Sequence, residues 1–227
     1  MNYREIEYLE KDALELEDFK AMDYYAVENF ELPIELMMEN AGLQLANLIA
    51  NSVSIQKIIK IGIGNGNNGG GGLVAARRLS AWGYSVYLDI FTELTQDLVI
   101  TQFNRAVKFG VKTEKVSNPD VWVDAYLGFS QKLPLKENLL KRLAEANNSK
   151  AILISLDIPT GFLGDPKNAY FKANKILTLA APKRILYNLP SNTEIWVADL
   201  GIPQMVYEKF KHKILPFNQS NIVKLKR

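Results

Sequence analysis

The sequence predicts an α/β protein: one domain with a mostly parallel sheet, helices on both faces and additional helices at the N-terminus. From residue 57 onward, six short runs rich in β-branched and aromatic residues alternate with helical stretches. This alternation is typical of βαβ units. No repeat, low-complexity tract or dividing linker interrupts the 227 residues, a length that suits one large domain.

Three helices are predicted before the first strand. Apolar residues recur at helical spacing over residues 4–18 and again over 18–29. Pro33 then stands where a helix would begin, and a broad apolar stripe continues over residues 34–50. We therefore expect residues 1–50 to form a helical N-terminal part.

The α/β core is expected to span residues 57–203 and to be followed by a basic tail, 204–227. Its predicted strands are 57–63, 85–90, 121–127, 151–156, 175–179 and 195–198, and its predicted helices are 70–82, 95–109 and 135–147. In open sheets of this class, ligands bind outside the carboxyl ends of the strands. The residues that directly follow each strand are therefore the first place to look for chemistry.

The composition excludes several kinds of protein. With no cysteine and one histidine, His212, the chain offers no thiolate nucleophile, and neither a Ser-His-Asp triad nor a multi-histidine metal site fits. A net charge of +2 gives no reason to expect nucleic acid, and no apolar run of 18 residues indicates a membrane span. Because the N-terminus lacks the features of a targeting segment, the cytoplasm is the expected location.

The first strand end is rich in glycine. Gly64, Gly66 and Gly69 form a G-x-G-x-x-G pattern, and Asp89 follows 20 residues later, where a dinucleotide-binding protein has an acid for the ribose. The alternative is a sharp turn into a helix. Seven glycines between residues 62 and 72 exceed what one turn needs, and Asn67 and Asn68 add amide oxygens.

The other two strand ends each carry an aspartate. Asp124 comes late in an apolar strand, where an ionised carboxylate must be paired, hydrogen-bonded or bound to a metal, or else cap a neighbouring loop. Asp157 precedes a Pro-Thr-Gly turn, which would fix its orientation. The alternative is that Asp157 only forms a simple Asx-turn. With Asn67, Asn68 and Thr160, the two aspartates form a set of oxygen donors that suits a hard, weakly charged cation.

Several segments stand out in combination: AMDYYAVENFELPIELMMENAG, IGIGNGNNGGGG, VDAYLGFS, LDIPTGF, ILTLAAPK and WVADLGIP. Together they resemble the YjeF N-terminal domain family, which includes the NAD(P)H-hydrate epimerases, from about Ala21 to Pro203. The resemblance implies a three-layer αβα Rossmann-like sandwich with a mostly parallel central sheet, and a homodimer.

The resemblance also implies an activity and a site. The substrate would be hydrated NADH or NADPH, whose R and S forms are interconverted so that a separate dehydratase can repair them. Potassium would be held by Asn68, Asp124 and Thr160, and Asp157 would contact the substrate. The other substrate-binding residues implied are Asn67, Asn68, Gly69, Gly70, Gly71, Gly128, Phe129, Ser130, Gln131, Lys132, Leu133 and Pro134.

A mechanism follows from this chemistry. The lone pair of the ring nitrogen can expel the neighbouring hydroxyl, and water can then return to either face of the resulting iminium ion. A carboxylate can protonate the departing hydroxyl and stabilise the developing cation. Asp157 is the first candidate for this acid–base role and Asp124 is the second.

Two departures from the family pattern leave alternatives open. Gly71 stands where the family loop usually has aspartate, and Thr160 stands where it usually has serine. The loss of one carboxylate favours, as an alternative, a non-catalytic domain that keeps a ligand pocket or a dimer surface. A third interpretation is an NAD(P)-dependent oxidoreductase that uses the glycine pattern with Asp89. In addition, residues 89–94 provide no Lys or Arg for the substrate phosphates.

Overall fold

A computed structural model describes residues 3–226 of the chain. Its centre is one eight-stranded sheet in the order β1-β8-β7-β6-β5-β4-β2-β3. The strands are β1 Arg4–Glu7, β2 Ile58–Ile63, β3 Ser85–Ile90, β4 Val121–Ala125, β5 Ile152–Leu156, β6 Lys175–Leu179, β7 Glu194–Ala198 and β8 Ile222–Lys226. All neighbours pair in parallel except β7 and β8, which are antiparallel. The predicted, mostly parallel sheet is confirmed.

Helices cover both faces of the sheet. They are α1 Leu16–Phe30, α2 Ile34–Ala50, α3 Asn67–Ala81, α4 Asp97–Lys108, α5 Glu137–Asn147 and α6 Gln204–Lys209, with short 3-10 helices at Glu10–Asp12 and Arg184–Asn188. One apolar core lies between the sheet and α2, α3 and α4, and a second lies between the opposite face and α5. A third cluster joins α1, α2 and α6. These layers confirm the predicted αβα sandwich.

The N-terminal end differs from the prediction. The helix expected over residues 4–18 is wrong, because Arg4–Glu7 forms β1 and pairs in parallel with β8. Acidic and basic side chains meet across this pair: Glu5 lies 3.9 Å and Glu7 3.7 Å from the ammonium groups of Lys224 and Lys226, respectively. Residues 204–227, expected to be a basic tail, contain α6 and β8 within the described part of the chain.

Among residues 3–226, no helix has both the length and the apolar character needed to cross a membrane.

Candidate active site

A cavity of about 560 Å³ opens at the carboxyl ends of the parallel strands. Its floor is formed by residues that follow β2, β4 and β5, and its walls come from α1 and α2. Eight of the residues predicted from the sequence line it: Asn67, Asn68, Gly71, Gly128, Phe129, Ser130, Gln131 and Asp157. The strand ends singled out in the sequence therefore meet at one place, as the topology of a parallel sheet requires.

Close packing explains why the first strand end is rich in glycine. A Cβ atom at Gly64 would lie 2.0 Å from the carbonyl oxygen of Tyr126, and one at Gly69 would lie 2.0 Å from the carbonyl oxygen of Gly64. At Gly66, the residue that precedes α3, a Cβ would meet nothing within 4 Å. The glycines thus allow the turn into α3 to press directly against the end of β4.

Alanine substitutions in this loop should separate packing from flexibility. Gly64→Ala is expected to lower the free energy of unfolding by about 3 kcal/mol, because its methyl group would collide with backbone that has no room to move. Gly66→Ala is the matched control and should change it by less than about 1 kcal/mol, because its backbone is extended and the space is open. Urea unfolding measures both, and equal stabilities would contradict the packing explanation.

Asp124 lies beneath the cavity and is completely buried. Its Oδ1 accepts a hydrogen bond of 2.6 Å from the Thr160 hydroxyl, and its Oδ2 accepts bonds from the Thr160 amide at 2.8 Å and the Ser155 hydroxyl at 2.9 Å. Burial raises the pKa of Asp124 to about 6, and the hydrogen bonds from Thr160 and Ser155 oppose this rise. Asp124 therefore joins β4 to the turn after β5.

Asn68 lies in the first turn of α3, between the ends of β4 and β5. Its Nδ2 donates to the carbonyl oxygens of Leu127 and Leu156, at 2.7 and 3.2 Å. Its Oδ1 is buried and accepts no hydrogen bond from any described residue. A buried acceptor without a partner is costly, and it is the kind of atom that a bound cation or ligand satisfies.

Asp157 has an unusual backbone and a buried partner. Its φ is 68°, a left-handed conformation that is uncommon for residues other than glycine and often marks a functional site. Its Oδ2 accepts a 2.9 Å hydrogen bond from the Phe129 amide, and its Oδ1 lies 3.0 Å from Nζ of Lys183. These two contacts fix the position of the carboxylate at the end of β5.

Lys183 was not predicted as a site residue. Its side chain is completely buried, its Nζ donates to the Leu179 carbonyl at 2.5 Å, and it lies 3.6 Å from the centre of the Phe19 ring. Burial lowers the pKa of Lys183, while the carboxylate of Asp157 acts in the opposite direction. The lysine in the ILTLAAPK segment was the available signal, but only the fold places it next to Asp157.

Asp23 is a further cavity residue that sequence reasoning missed. It lies on α1 and lines the cavity with Phe19, which precedes it by one helical turn. Burial raises the pKa of Asp23 to about 6; Lys183 lowers this value and Asp157 raises it. A second carboxyl group therefore faces the cavity, although Gly71 replaces the loop aspartate that the resemblance implied.

Position 71, where that aspartate usually stands, is glycine in the wall of the cavity. A Cβ there would lie 3.0 Å from Cδ2 of Leu156 and 3.8 Å from Cβ of Ala41. Both of these neighbouring atoms belong to apolar side chains.

The remaining predicted residues lie near the cavity without lining it. Gly69 and Gly70 pack inside the first turn of α3, Asp124 and Thr160 lie beneath the floor, and Lys132, Leu133 and Pro134 are exposed on the loop after β4. The roles predicted for them in substrate and cation binding stay predictions.

Asp89, the proposed ribose-binding acid, is already engaged. Its carboxylate accepts a 2.5 Å hydrogen bond from the hydroxyl of Tyr126 and lies 3.0 Å from Nε of Arg142. The cation that lines the cavity on this side is Lys136, directly before α5. Lys136 is thus a basic residue in the cavity lining that does not belong to residues 89–94.

Comparison with known proteins identifies the family. The family described as YjeF-related protein N-terminus matches residues 34–185, about two thirds of the chain. The chain belongs to this family. The YjeF N-terminal match includes the glycine-rich loop and the two strand ends that carry Asp124 and Asp157.

Relatives in this family span most of the chain. The NAD(P)H-hydrate epimerase of Rhodopirellula baltica is 34% identical, over 84% of this chain and 85% of its own length. The bifunctional NAD(P)H-hydrate repair enzyme Nnr of Thermofilum pendens is 31% identical over 87% of this chain, which spans 41% of that larger protein. The crystal structure of yeast ynu0 matches with a TM-score of 0.85 at 22% identity, over 94% of this chain and 99% of its own, which confirms the fold.

Proposed function

We propose that this YjeF N-terminal protein is an NAD(P)H-hydrate epimerase, an isomerase that interconverts the R and S forms of hydrated NADH or NADPH. The observation that supports this most directly is the carboxylate of Asp157. It is fixed beside the glycine-rich loop by Lys183 and the Phe129 amide, in a cavity large enough for a substantial part of a nucleotide. Relatives that span most of the chain are named for the same activity.

The reaction would use this carboxylate in two ways. When the hydroxyl leaves the ring carbon next to the ring nitrogen, positive charge develops on the ring, and an ionised carboxylate stabilises it. When water adds to the other face, Asp157 accepts its proton as a general base. The 3.0 Å contact with Nζ of Lys183 would hold the carboxylate in place for both steps.

The nucleotide part of the substrate would lie along the loop at the start of α3. The exposed amide groups of a helix N-terminus attract phosphate, and Lys136 supplies a positive charge to the same cavity. Gly128, Phe129, Ser130 and Gln131 form the facing wall.

Potassium is the cation that we propose for the site. Asn68, Asp124 and Thr160 would hold it, and the buried Oδ1 of Asn68, which lacks a partner, supports this assignment. One carboxylate and neutral oxygens suit a weakly charged hard cation. Bound there, potassium would stabilise the ionised form of Asp124 and hold the ends of β4 and β5 together.

Removal of potassium should therefore reduce both activity and stability. We expect epimerisation to slow and the melting temperature to fall when potassium is replaced by N-methylglucamine at equal ionic strength, because ligands that bind only the folded state stabilise it. Calorimetry measures the melting temperature and a single-epimer assay measures the rate. Identical values in the two buffers would contradict a potassium site.

One assay tests the proposed function and separates its alternatives. Purified protein is mixed with a single epimer of hydrated NADH, and the approach to the epimer mixture is followed against the spontaneous rate. Clear acceleration supports an epimerase. Binding of the substrate without acceleration would instead support a non-catalytic domain, the alternative that Gly71 raises, and oxidation of a cofactor in a substrate screen would support an oxidoreductase.

The location, the oligomeric state and the partner of the protein are proposed from the family resemblance. We propose a cytoplasmic homodimer that supplies substrate to a separate dehydratase. The name of the bifunctional relative, a repair enzyme with two functions, supports a link of this kind. Light scattering tests the homodimer, and a coupled assay with a dehydratase tests the link.

A further inference from the structure

The base of the cavity holds two carboxyl groups and one buried ammonium group. Lys183 pairs with Asp157 at 3.0 Å and also lies against the ring of Phe19. Asp23 follows Phe19 by one turn on α1, on the same side of the helix, and faces the same cavity. Asp23 is thus brought close to this ion pair.

A charge count distinguishes the two carboxyl groups. One ammonium group can neutralise one carboxylate, and its direct contact is with Asp157. Among residues 3–226, no side chain forms a hydrogen bond or ion pair with Asp23. A partly buried carboxyl group without a partner favours its protonated form, in agreement with a pKa raised to about 6. The site then contains one carboxylate that is paired with Lys183 and one carboxyl group that keeps its proton up to about pH 6.

Different environments for two neighbouring carboxyl groups are the arrangement that separates an acid from a base in catalysis. We propose that Asp23 is the proton donor for the departing hydroxyl, with Asp157 as the base for the returning water. This inference rests on the proposed epimerase function and extends it to a residue outside the motifs that identify the site.

The Asp23 carboxyl group gives its proton to the ring hydroxyl, the carbon–oxygen bond breaks with both electrons leaving on oxygen, and water departs as the ring becomes an iminium ion. Water then adds to the opposite face and loses a proton to Asp157. The enzyme is left with Asp23 ionised and Asp157 protonated, the state that runs the reverse interconversion, and exchange with bulk water resets it.

Among residues 3–226, the charged groups that act on Asp23 are few. Asp157 and Lys183 act on it directly. Helix α2 presents the uncharged Met37, Met38 and Ala41 to the cavity. Lys209, the last residue of α6, lies over the ring of Tyr25 in α1. His212 follows α6, and burial together with the charge of Lys183 lowers its pKa. The proton equilibrium of Asp23 is therefore set mainly by its burial and by the Asp157–Lys183 pair.

Substitution of Asp23 tests the proposal. Asp23→Asn should lower kcat about 100-fold or more with little change in KM, since general acids contribute factors of this size. In the wild type, kcat/KM should decline above pH about 6 as the proton is lost, and this limb should disappear in Asp23→Asn. Asp23→Glu should restore part of the rate. Glu28→Gln, an exposed change on the same helix outside the cavity, is the matched control and should leave kcat unchanged.

Stability separates this role from a structural one. Because Asp23 has a raised pKa in the folded state, its ionisation destabilises the protein as pH rises through about 6, and Asp23→Asn should melt at the same temperature as the wild type or higher at pH 7.5. Should that variant fail to fold, the wild-type profile decides: a decline near pH 6 supports the proposal and a flat profile from pH 5 to 9 overturns it.

Failure of the role of Asp23 can be distinguished from failure of the epimerase function. Acceleration by the wild type with full kcat and an unchanged pH profile in Asp23→Asn would overturn the role of Asp23 and leave the epimerase function standing. No acceleration by the wild type would overturn both.

Discussion

Asp157→Asn is expected to lower kcat for epimerisation by about 1,000-fold while hydrated NADH still binds, because the change removes both a general base and the charge that stabilises the cationic ring. The side chain keeps its size, and its oxygen can still accept from the Phe129 amide. The single-epimer assay gives kcat, and titration calorimetry gives the affinity. Wild-type kcat in this variant would rule out the assignment of Asp157.

The same substitution should also cost stability. It leaves the ammonium group of Lys183 buried without its partner, and breaking a buried ion pair in this way lowers the free energy of unfolding by about 3 kcal/mol. Ionisation of Asp23 would offset part of this loss.

A double variant separates the two effects of this substitution. Asp157→Asn with Lys183→Met removes both charges and should regain most of the stability in urea unfolding, yet remain inactive. Recovery of activity in the double variant would show that the carboxylate is needed only for folding.

Thr160→Val should lower stability strongly. Valine keeps the shape but removes the hydroxyl that donates to Oδ1 of Asp124 and accepts from the amide of Leu127. Both groups would be left without this partner in the interior, so we expect the free energy of unfolding to fall by about 3 kcal/mol at pH 7.5. The stabilisation by potassium should also be lost. Urea unfolding with and without potassium measures both effects.

Thr160→Ser is the matched control, because serine is the residue usual in the family and keeps the hydroxyl. Its loss of one buried methyl group should cost only about 1 kcal/mol, and the response to potassium should persist. A serine variant as unstable as the valine variant would show that packing, rather than the hydrogen bonds, makes Thr160 important.

The effect of Thr160→Val should grow with pH. The folded pKa of Asp124, about 6, lies above its ordinary value of 3.8, so its contribution to stability is greatest below pH 3.8 and is lost as pH rises through 6. Removal of the Thr160 hydroxyl takes away the largest opposing effect and raises this pKa further. The difference in stability between the valine variant and the wild type should therefore widen between pH 4 and pH 8.

The strands of the core were predictable because each is a short β-rich run bounded by turn residues or helices. Predicted and observed bounds agree at both ends for β3 and β6 and at the start of β4, and β2, β5 and β7 begin within one residue of their predicted starts. The N-terminal strand was not predictable in this way. Arg4–Glu7 is a four-residue edge strand with mostly exposed side chains, and its strand partner, β8, comes more than 200 residues later.

In the candidate site, too, some features were predictable from the sequence and others were not. Asn68, Asp124, Asp157 and Thr160 were expected because they follow strands or glycine turns, and the topology of the sheet brings such ends together. Asp89 also fitted a sequence pattern, but Tyr126 and Arg142 occupy its carboxylate. The spacing of residues along the sequence does not show which side chains will contact Asp89 in the folded chain.

The sequence by itself determined the type of chemistry open to this protein: without cysteine and with one histidine, it depends on carboxylates, amides and a glycine-rich loop. The tertiary structure alone decided how many carboxyl groups face the cavity and which of them is paired with an ammonium group. Gly71 removes one carboxylate from the loop, while α1 brings Asp23 and the segment after β6 brings Lys183 to the same place. Charge states depend on burial and on distances between groups far apart in the chain, and these exist only once the chain has folded.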